Sequence, residues 1–199
     1  LRAVADKPAE YDQAVAALKA AKYADAEKLL NTVATNLRGL SWDVEAMKLL
    51  PQALLGKGDA EGAVLAYDKL FLQAPAEKQN PDVAWGQRRA MLQAKQYAAL
   101  LRQLDAVAAA GIRPDAARAQ TMRGDIQLAQ NNLDQAAMEY LRTAILFADV
   151  KDPAIQGEAH FKAAAVLEQL RDPRAKELYK KVATEYKASP YAAQAAGKM

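Results

Sequence analysis

Residues 122–140 read MRGDIQLAQNNLDQAAMEY, and this stretch decides how the rest of the chain is interpreted. Gly124 lies in one segment of helical periodicity, Asn131-Asn132 interrupts it, and Ala136 and Tyr140 lie in a second segment. Small residues at Gly124 and Ala136 would let two antiparallel helices approach closely, and the tyrosine would fill the gap to a neighbouring pair. The stretch therefore predicts a hairpin of two helices.

The pattern of the second helix recurs along the chain at a period of roughly 37 residues, within the range of stacked helix pairs. A small or apolar residue is followed four residues later by a larger one on the same helix face, and a third core residue follows three residues after that. In chain order the three sets are Ala26, Ala63, Leu100, Ala136 and Ala175; Leu30, Tyr67, Leu104, Tyr140 and Tyr179; and Val33, Leu70, Val107, Thr143 and Val182.

Gly124, Leu133, Ala136 and Tyr140 have the spacing of a tetratricopeptide repeat (TPR), and the chain resembles that family over nearly its whole length. The resemblance implies an all-α fold, a right-handed α-solenoid of about five TPR-like helical hairpins plus a short C-terminal helix. It implies a single solenoid domain over residues 1–199. Its expected units are about 8–39, 41–75, 82–111, 115–149 and 153–188, with a terminal helix at 190–199.

Several positions do not match the repeat motif, and each predicts a local difference in structure. Pro51 occupies the small position of the first helix in the second unit, where it predicts a kink. Leu100 replaces the closely packed alanine of the third unit, which predicts a splayed pair. Ser41 is predicted to cap the first helix of the second unit, and Pro114 to end the third unit.

The chain's final segment is expected to cover the apolar end of the last hairpin, as terminal repeats require. Tyr191, Ala192, Ala195 and Ala196 are the residues predicted to pack there. The last segment of the chain, AKELYKKVATEYKASPYAAQAA (residues 175–196), resembles repeats of bacterial cell-envelope proteins of the Tol-Pal-associated and outer-membrane assembly lipoprotein type. This resemblance favours the bacterial periplasm or envelope over the cytoplasm.

The composition supports an all-helical chain, because alanine makes up about a quarter of it and is the best helix former. The formal net charge is +3 with both signs interspersed, which is weak support for nucleic-acid binding. Cysteine is absent, which excludes disulfides and thiolate chemistry. No apolar run reaches the roughly 20 residues of a membrane span. The start at Leu1 is interpreted as processing, so that an anchor or export signal would lie upstream.

The candidates for catalysis are poor, and no enzyme activity, cofactor or metal site is expected. His160 is the only histidine, and we interpret it as a partly exposed polar residue on a helix without a catalytic or metal-binding role. Glu158 and Glu168 are interpreted as solvated helix charges. Gly56-Lys57-Gly58 is too short for a phosphate loop.

In TPR hairpins the first helices line a concave groove, and projecting the usual groove positions onto this chain selects candidate partner-binding residues. They are Tyr11, Lys48, Gln52, Trp85, Arg89, Arg118, Thr121, Asp125 and His160. Tryptophan and arginine are frequent at interaction hot spots, and the cations face only one acid, Asp125. A shift of one residue would instead place Trp85 in the core. The carboxylate clamp of chaperone co-factors is not matched, because Leu49 and Gly86 do not complete it.

These observations favour a non-enzymatic protein–protein interaction scaffold that binds a peptide segment or partner protein, expected to be acidic, in the concave groove. The alternative is an assembly or oligomerisation module that uses the ends or the convex face of the solenoid, with self-association. Helical-repeat binding to RNA is the third hypothesis, and a repeated base-reading pair, which it requires, is missing. No nucleic-acid partner is expected, and membrane contact is expected only through an upstream anchor.

Overall fold

The computed structural model describes residues 6–199, and within this range the chain is all-helical. The α-helices are α1 (Ala9–Lys19), α2 (Tyr23–Asn36), α3 (Ser41–Gly56), α4 (Ala60–Gln73), α5 (Pro81–Gln93), α6 (Tyr97–Ala109), α7 (Arg113–Ala129), α8 (Leu133–Leu146), α9 (Pro153–Gln169), α10 (Arg174–Glu185) and α11 (Ala192–Ala196). The odd-numbered helices α1 to α9 are called first helices, and the even-numbered helices α2 to α10 are called second helices. None of the helices in residues 6–199 combines the length and apolarity that crossing a bilayer requires.

The chain divides into two compact units, unit 1 (Leu1–Gln96) and unit 2 (Tyr97–Met199). In unit 1, consecutive helices from α1 to α5 pack against each other. In unit 2, consecutive helices from α6 to α11 do the same. The boundary between the units therefore falls inside the expected third hairpin, residues 82–111. The single-domain expectation is not tested by this division, because compactness and independence of folding are different properties.

Every turn from a first helix to the following second helix is built in the same way. One residue adopts a positive φ, and in chain order these residues are Ala21, Gly58, Lys95, Asn131 and Arg171. The next residue donates its N–H to the carbonyl five positions earlier, at 2.8–2.9 Å, as in Lys22 to Ala17 and Asn132 to Gln127. This pair of features is the Schellman motif, which satisfies carbonyls left unpaired at a helix end. The predicted break at Asn131-Asn132 is confirmed.

The core register predicted for the second helices is confirmed. Fourteen of the fifteen residues in the three aligned sets are buried, and Val107 alone is half-buried. In unit 1, Ala26, Leu30 and Val33 pack with Ala14 of α1 and Ala53 of α3. This burial removes apolar surface from water at every second helix, and it is the main stabilising contribution of such a fold.

The sequence departs from the repeat pattern at the point where the chain divides. Twelve residues before the aligned position of each second helix, the other units hold Ala14, Pro51, Gly124 and Ala163. The third unit holds Arg88 at this place and Leu100 at the aligned position itself. Both residues are large where the repeat pattern favours small ones, so the sequence pattern of this pair differs from that of the others.

Three local predictions need correction at the helix ends. Ser41 is not a cap but the first helical residue, since Leu40 is the N-cap and no side chain bonds there. Pro114 does not end a unit but lies in the first turn of α7, where its missing N–H costs nothing. Ala196 is exposed.

The expected cover at the C-terminal end is present in α11. Ala195 is buried with Ala164, Tyr179 and Val182, and Tyr191 packs beside them. The Tyr191 ring stacks on Phe161 with a centroid distance of 4.9 Å. A helix of five residues has no stability of its own, so α11 is held by this docking.

Candidate interaction surfaces

The groove candidates on the first helices of unit 1 are surrounded by charges of both signs and do not form a basic surface. The Lys48 ammonium is 2.6 Å from a carboxylate oxygen of Glu45 and 3.7 Å from one of Glu77. Tyr11 is half-buried and its ring lies 5.0 Å from that of Trp42, centroid to centroid. Gln52 and Arg89 are exposed. The charge of Lys48 is therefore largely neutralised before any partner arrives.

Trp85 belongs to the core of unit 1 and is removed from the set of partner-binding candidates. Its side chain is 8% exposed, and the Arg88 guanidinium carbon lies 4.8 Å from the ring centroid. The adjacent Gly86 has a packing role, because a Cβ at this position would overlap the hydroxyl of Tyr67. The alternative register, in which Trp85 is a core aromatic, is the one that the structure shows.

In unit 2, Arg118 is paired and Thr121 is buried. The Arg118 guanidinium is 3.9 Å from a carboxylate oxygen of Asp115 and 4.0 Å from one of Asp152. The Thr121 hydroxyl is 3.2 Å from that of Thr143 and donates to the Ala117 carbonyl. Thr121 is therefore a satisfied core residue and cannot contact a partner.

Asp125 is the centre of a polar cluster that joins three helices of unit 2. The Tyr140 hydroxyl donates to it at 2.8 Å, and the Lys162 ammonium lies 2.8 and 3.0 Å from its two oxygens. The same ammonium is 2.6 Å from Glu158. Burial opposes the ammonium charge, but Asp125 and Glu158 together raise the pKa of Lys162. A permanently charged lysine between two carboxylates is a structural ion pair.

His160 is buried, 4% exposed, and is also removed from the partner-binding set. Its Nδ1 donates to the Gln156 carbonyl at 2.8 Å, and its ring lies 5.0 Å from that of Tyr186. Burial is the main effect and lowers the pKa of His160, and the positive charge of Lys181 lowers it further. The Gln156 carbonyl and the negative charge of Glu185 act in the opposite direction but do not cancel the decrease. The neutral imidazole is the form that the folded chain accommodates.

The lowered pKa of His160 predicts that folding stability decreases on acidification below about pH 6.5, the ordinary histidine value. Below that pH the unfolded chain binds a proton that the buried imidazole does not, so the free energy of unfolding decreases. Urea unfolding between pH 8 and 5.5 should show this slope, and His160→Gln should flatten it because the chain has no other histidine. An equal slope in both proteins would contradict the assignment.

Two second helices each carry a pair of exposed apolar side chains, at equivalent repeat positions. Leu65 and Leu72 on α4 are 68% and 83% exposed, and Met138 and Ile145 on α8 are 42% and 71% exposed. In each helix the pair is two and nine residues after the aligned core alanine, Ala63 or Ala136. Seven residues are two helical turns, so the two side chains of a pair share one face.

Each unit also has a groove between two second helices, above the first helix that joins them. In unit 1 the α2–α4 groove has a cavity of about 200 Å³, lined by Asn31, Ala34, Thr35, Arg38, Met47, Leu50, Ala66, Lys69 and Gln73. In unit 2 the α8–α10 groove has a cavity of about 290 Å³, lined by Leu141, Leu167, Arg174, Glu177, Leu178 and Lys181. Ala66 and Lys69 correspond in the repeat to Leu178 and Lys181.

Among residues 6–199, no group of three His, Cys, Asp or Glu side chains is arranged to hold a metal ion. The geometry thus defines an all-helical chain of recurring helix pairs with two kinds of exposed surface, the first-helix face and the second-helix face. Comparisons with family models, curated proteins and solved structures find no significant match to this chain.

Proposed function

We propose that the chain is a non-enzymatic protein–protein interaction scaffold whose TPR-like hairpins form a right-handed α-solenoid. The recurring core register and the five Schellman turns support the repeat architecture. First helices of neighbouring pairs also contact each other, α1 with α3, α3 with α5, and α7 with α9. Such contacts are typical of stacked repeats, in which each pair touches only its neighbours.

The partner surface proposed is the second-helix face, and the exposed apolar pairs of α4 and α8 are the observation that carries it. Leu72 is 83% exposed although many leucines of this chain are buried. Apolar side chains grouped on one exposed helix face are typical of surfaces that bind a partner. The first-helix groove has fewer side chains available to a partner, because Trp85 is buried and Lys48 and Arg118 each form an ion pair within the chain. The alternative use of the convex face is thus favoured over the groove.

Site-specific photo-crosslinking in the source cells tests this proposal. Benzoylphenylalanine is placed in the intact protein at Leu72 or Ile145, and at Thr184, the position on α10 that is equivalent in the repeat and is also exposed. We expect one defined protein to be captured from Leu72 and Ile145 and not from Thr184, because hot spots are apolar and desolvated on binding. Capture from Arg89 alone would instead establish the first-helix groove. Equal capture from every position would contradict a specific scaffold.

A further inference from the structure

The α2–α4 groove combines an apolar floor with one sign of charge. Ala34, Met47, Leu50 and Ala66 form the apolar part of its lining. Arg38, two residues beyond the end of α2, and Lys69 on α4 supply a cation on each side, and both residues are exposed. The remaining lining residues are uncharged, and among the described residues none that lines the groove is acidic.

The exposed apolar pair of α4 borders the same groove. Leu65 precedes Lys69 by four residues and Leu72 follows it by three, so both are its neighbours on the helix surface. Asp68, the nearest acid on α4, accepts a hydrogen bond at 2.7 Å from the amide of Gln87 on α5. The groove and its border therefore present leucines and cations together.

The equivalent groove of unit 2 lacks this combination. Glu177 lies beside Lys181 in its lining, so both signs of charge are present. The repeat positions of Leu65 and Leu72 hold the polar residues Glu177 and Thr184 on α10. The α8–α10 groove lies at the equivalent place in the repeat and has different chemistry, so it serves as a control.

We infer that the α2–α4 groove binds an acidic amphipathic segment of a partner protein, an inference that rests on the proposed function and names the chemistry of its partner. An apolar side chain of the segment enters the cavity over Met47 and Leu50. Its carboxylates pair with Arg38 and Lys69, and further apolar residues cover Leu65 and Leu72. This is the groove mode of helix recognition, in which apolar anchors give affinity and flanking charges select the partner.

Fluorescence anisotropy with the intact chain tests the inference. The probe is a labelled peptide of about 16 residues that carries leucines at helical spacing and glutamates on both flanks. Lys69→Glu and Arg38→Glu should each weaken binding about fivefold, as expected for reversal of a partly exposed charge pair. Lys181→Glu, the matched control in the α8–α10 groove, should leave the dissociation constant unchanged. Peptides with Gln for Glu, or Ser for Leu, should bind markedly less tightly.

Each other result overturns the inference. No binding of the acidic peptide excludes this partner chemistry. Equal weakening by Lys69→Glu and Lys181→Glu would show unspecific charge attraction. Arg38 and Lys69 are exposed and Lys181 is half-buried, and none of the three lies in the core, so the variants are expected to fold, which circular dichroism verifies. Crosslinking from Leu72 tests the proposed function separately. If a protein is captured at Leu72 but the acidic peptide does not bind, the scaffold function is retained and the acidic partner is excluded.

Discussion

Tyr140→Ala is expected to lower the free energy of unfolding by about 3–5 kcal/mol, the usual cost of removing a buried aromatic side chain. Tyr140 has no exposed surface, and its ring packs against Ala163, Val166 and Leu167 of α9. Removal of the ring would leave a cavity where α7, α8 and α9 meet. It would also remove the hydroxyl that donates to Asp125. Urea or thermal unfolding measures the loss.

Two further variants show which part of Tyr140 matters. Tyr140→Phe keeps the ring and loses only the hydrogen bond, so its cost should be about 1–2 kcal/mol. Ile145→Ala, a 71% exposed position on the same helix, should change stability by less than about 0.5 kcal/mol. A loss for Tyr140→Ala no larger than that for Ile145→Ala would mean that the ring is not buried between the helices.

Gly124→Ala is expected to destabilise the chain by about 1–3 kcal/mol, as overpacking of a core does. A Cβ at Gly124 would overlap the ring of Tyr140, which is enclosed and cannot move away without disturbing its neighbours. The sign of the change in the free energy of unfolding distinguishes overpacking from helix propensity, because alanine normally stabilises a helix interior by about 1 kcal/mol relative to glycine. Chemical denaturation of the two proteins decides the sign.

Gly197→Ala is the matched control, since the nearest atom to its Cβ would be the Gln194 carbonyl oxygen at 3.6 Å, an ordinary contact. A Tyr140→Leu background tests the mechanism. With the aromatic ring removed, Gly124→Ala should lose most of its cost, and the double-mutant cycle should report coupling between the two sites. A stabilised Gly124→Ala protein would show that the helices are farther apart than the structure places them.

The repeat and its core register could be predicted because they are local properties of the chain. The 3.6-residue period places Ala26, Leu30 and Val33 on one face of α2 without knowledge of the neighbouring helices. The turn at Asn131 follows from the same kind of local signal, a residue that tolerates positive φ between two periodic segments. Ser41 and Pro114 were placed wrongly because a helix start shifts by one or two residues at little energetic cost.

The candidate groove could be predicted only in part. The helix period selects a face of the first helices, but an error of one residue rotates a side chain by about 100 degrees, from groove to core. This rotation applies to three residues that were predicted to line the groove and are buried: Trp85, Thr121 and His160. Glu45 and Asp115 lie three residues before Lys48 and Arg118 on the same helices, so these pairs are local. The second acids, Glu77 and Asp152, come from other segments, which the helix period does not place.

The amino-acid sequence alone determined the helices, their pairing period and the core residues of the second helices, because helix geometry and hydrophobic burial act within a few turns of one segment. Only the tertiary structure decided which polar groups neutralise each other and which apolar residues stay exposed. Asp125, Tyr140 and Lys162 meet through the packing of three helices, and Leu72 remains exposed because no described helix covers its side of α4. Such contacts depend on distances between separate elements, which no local pattern contains.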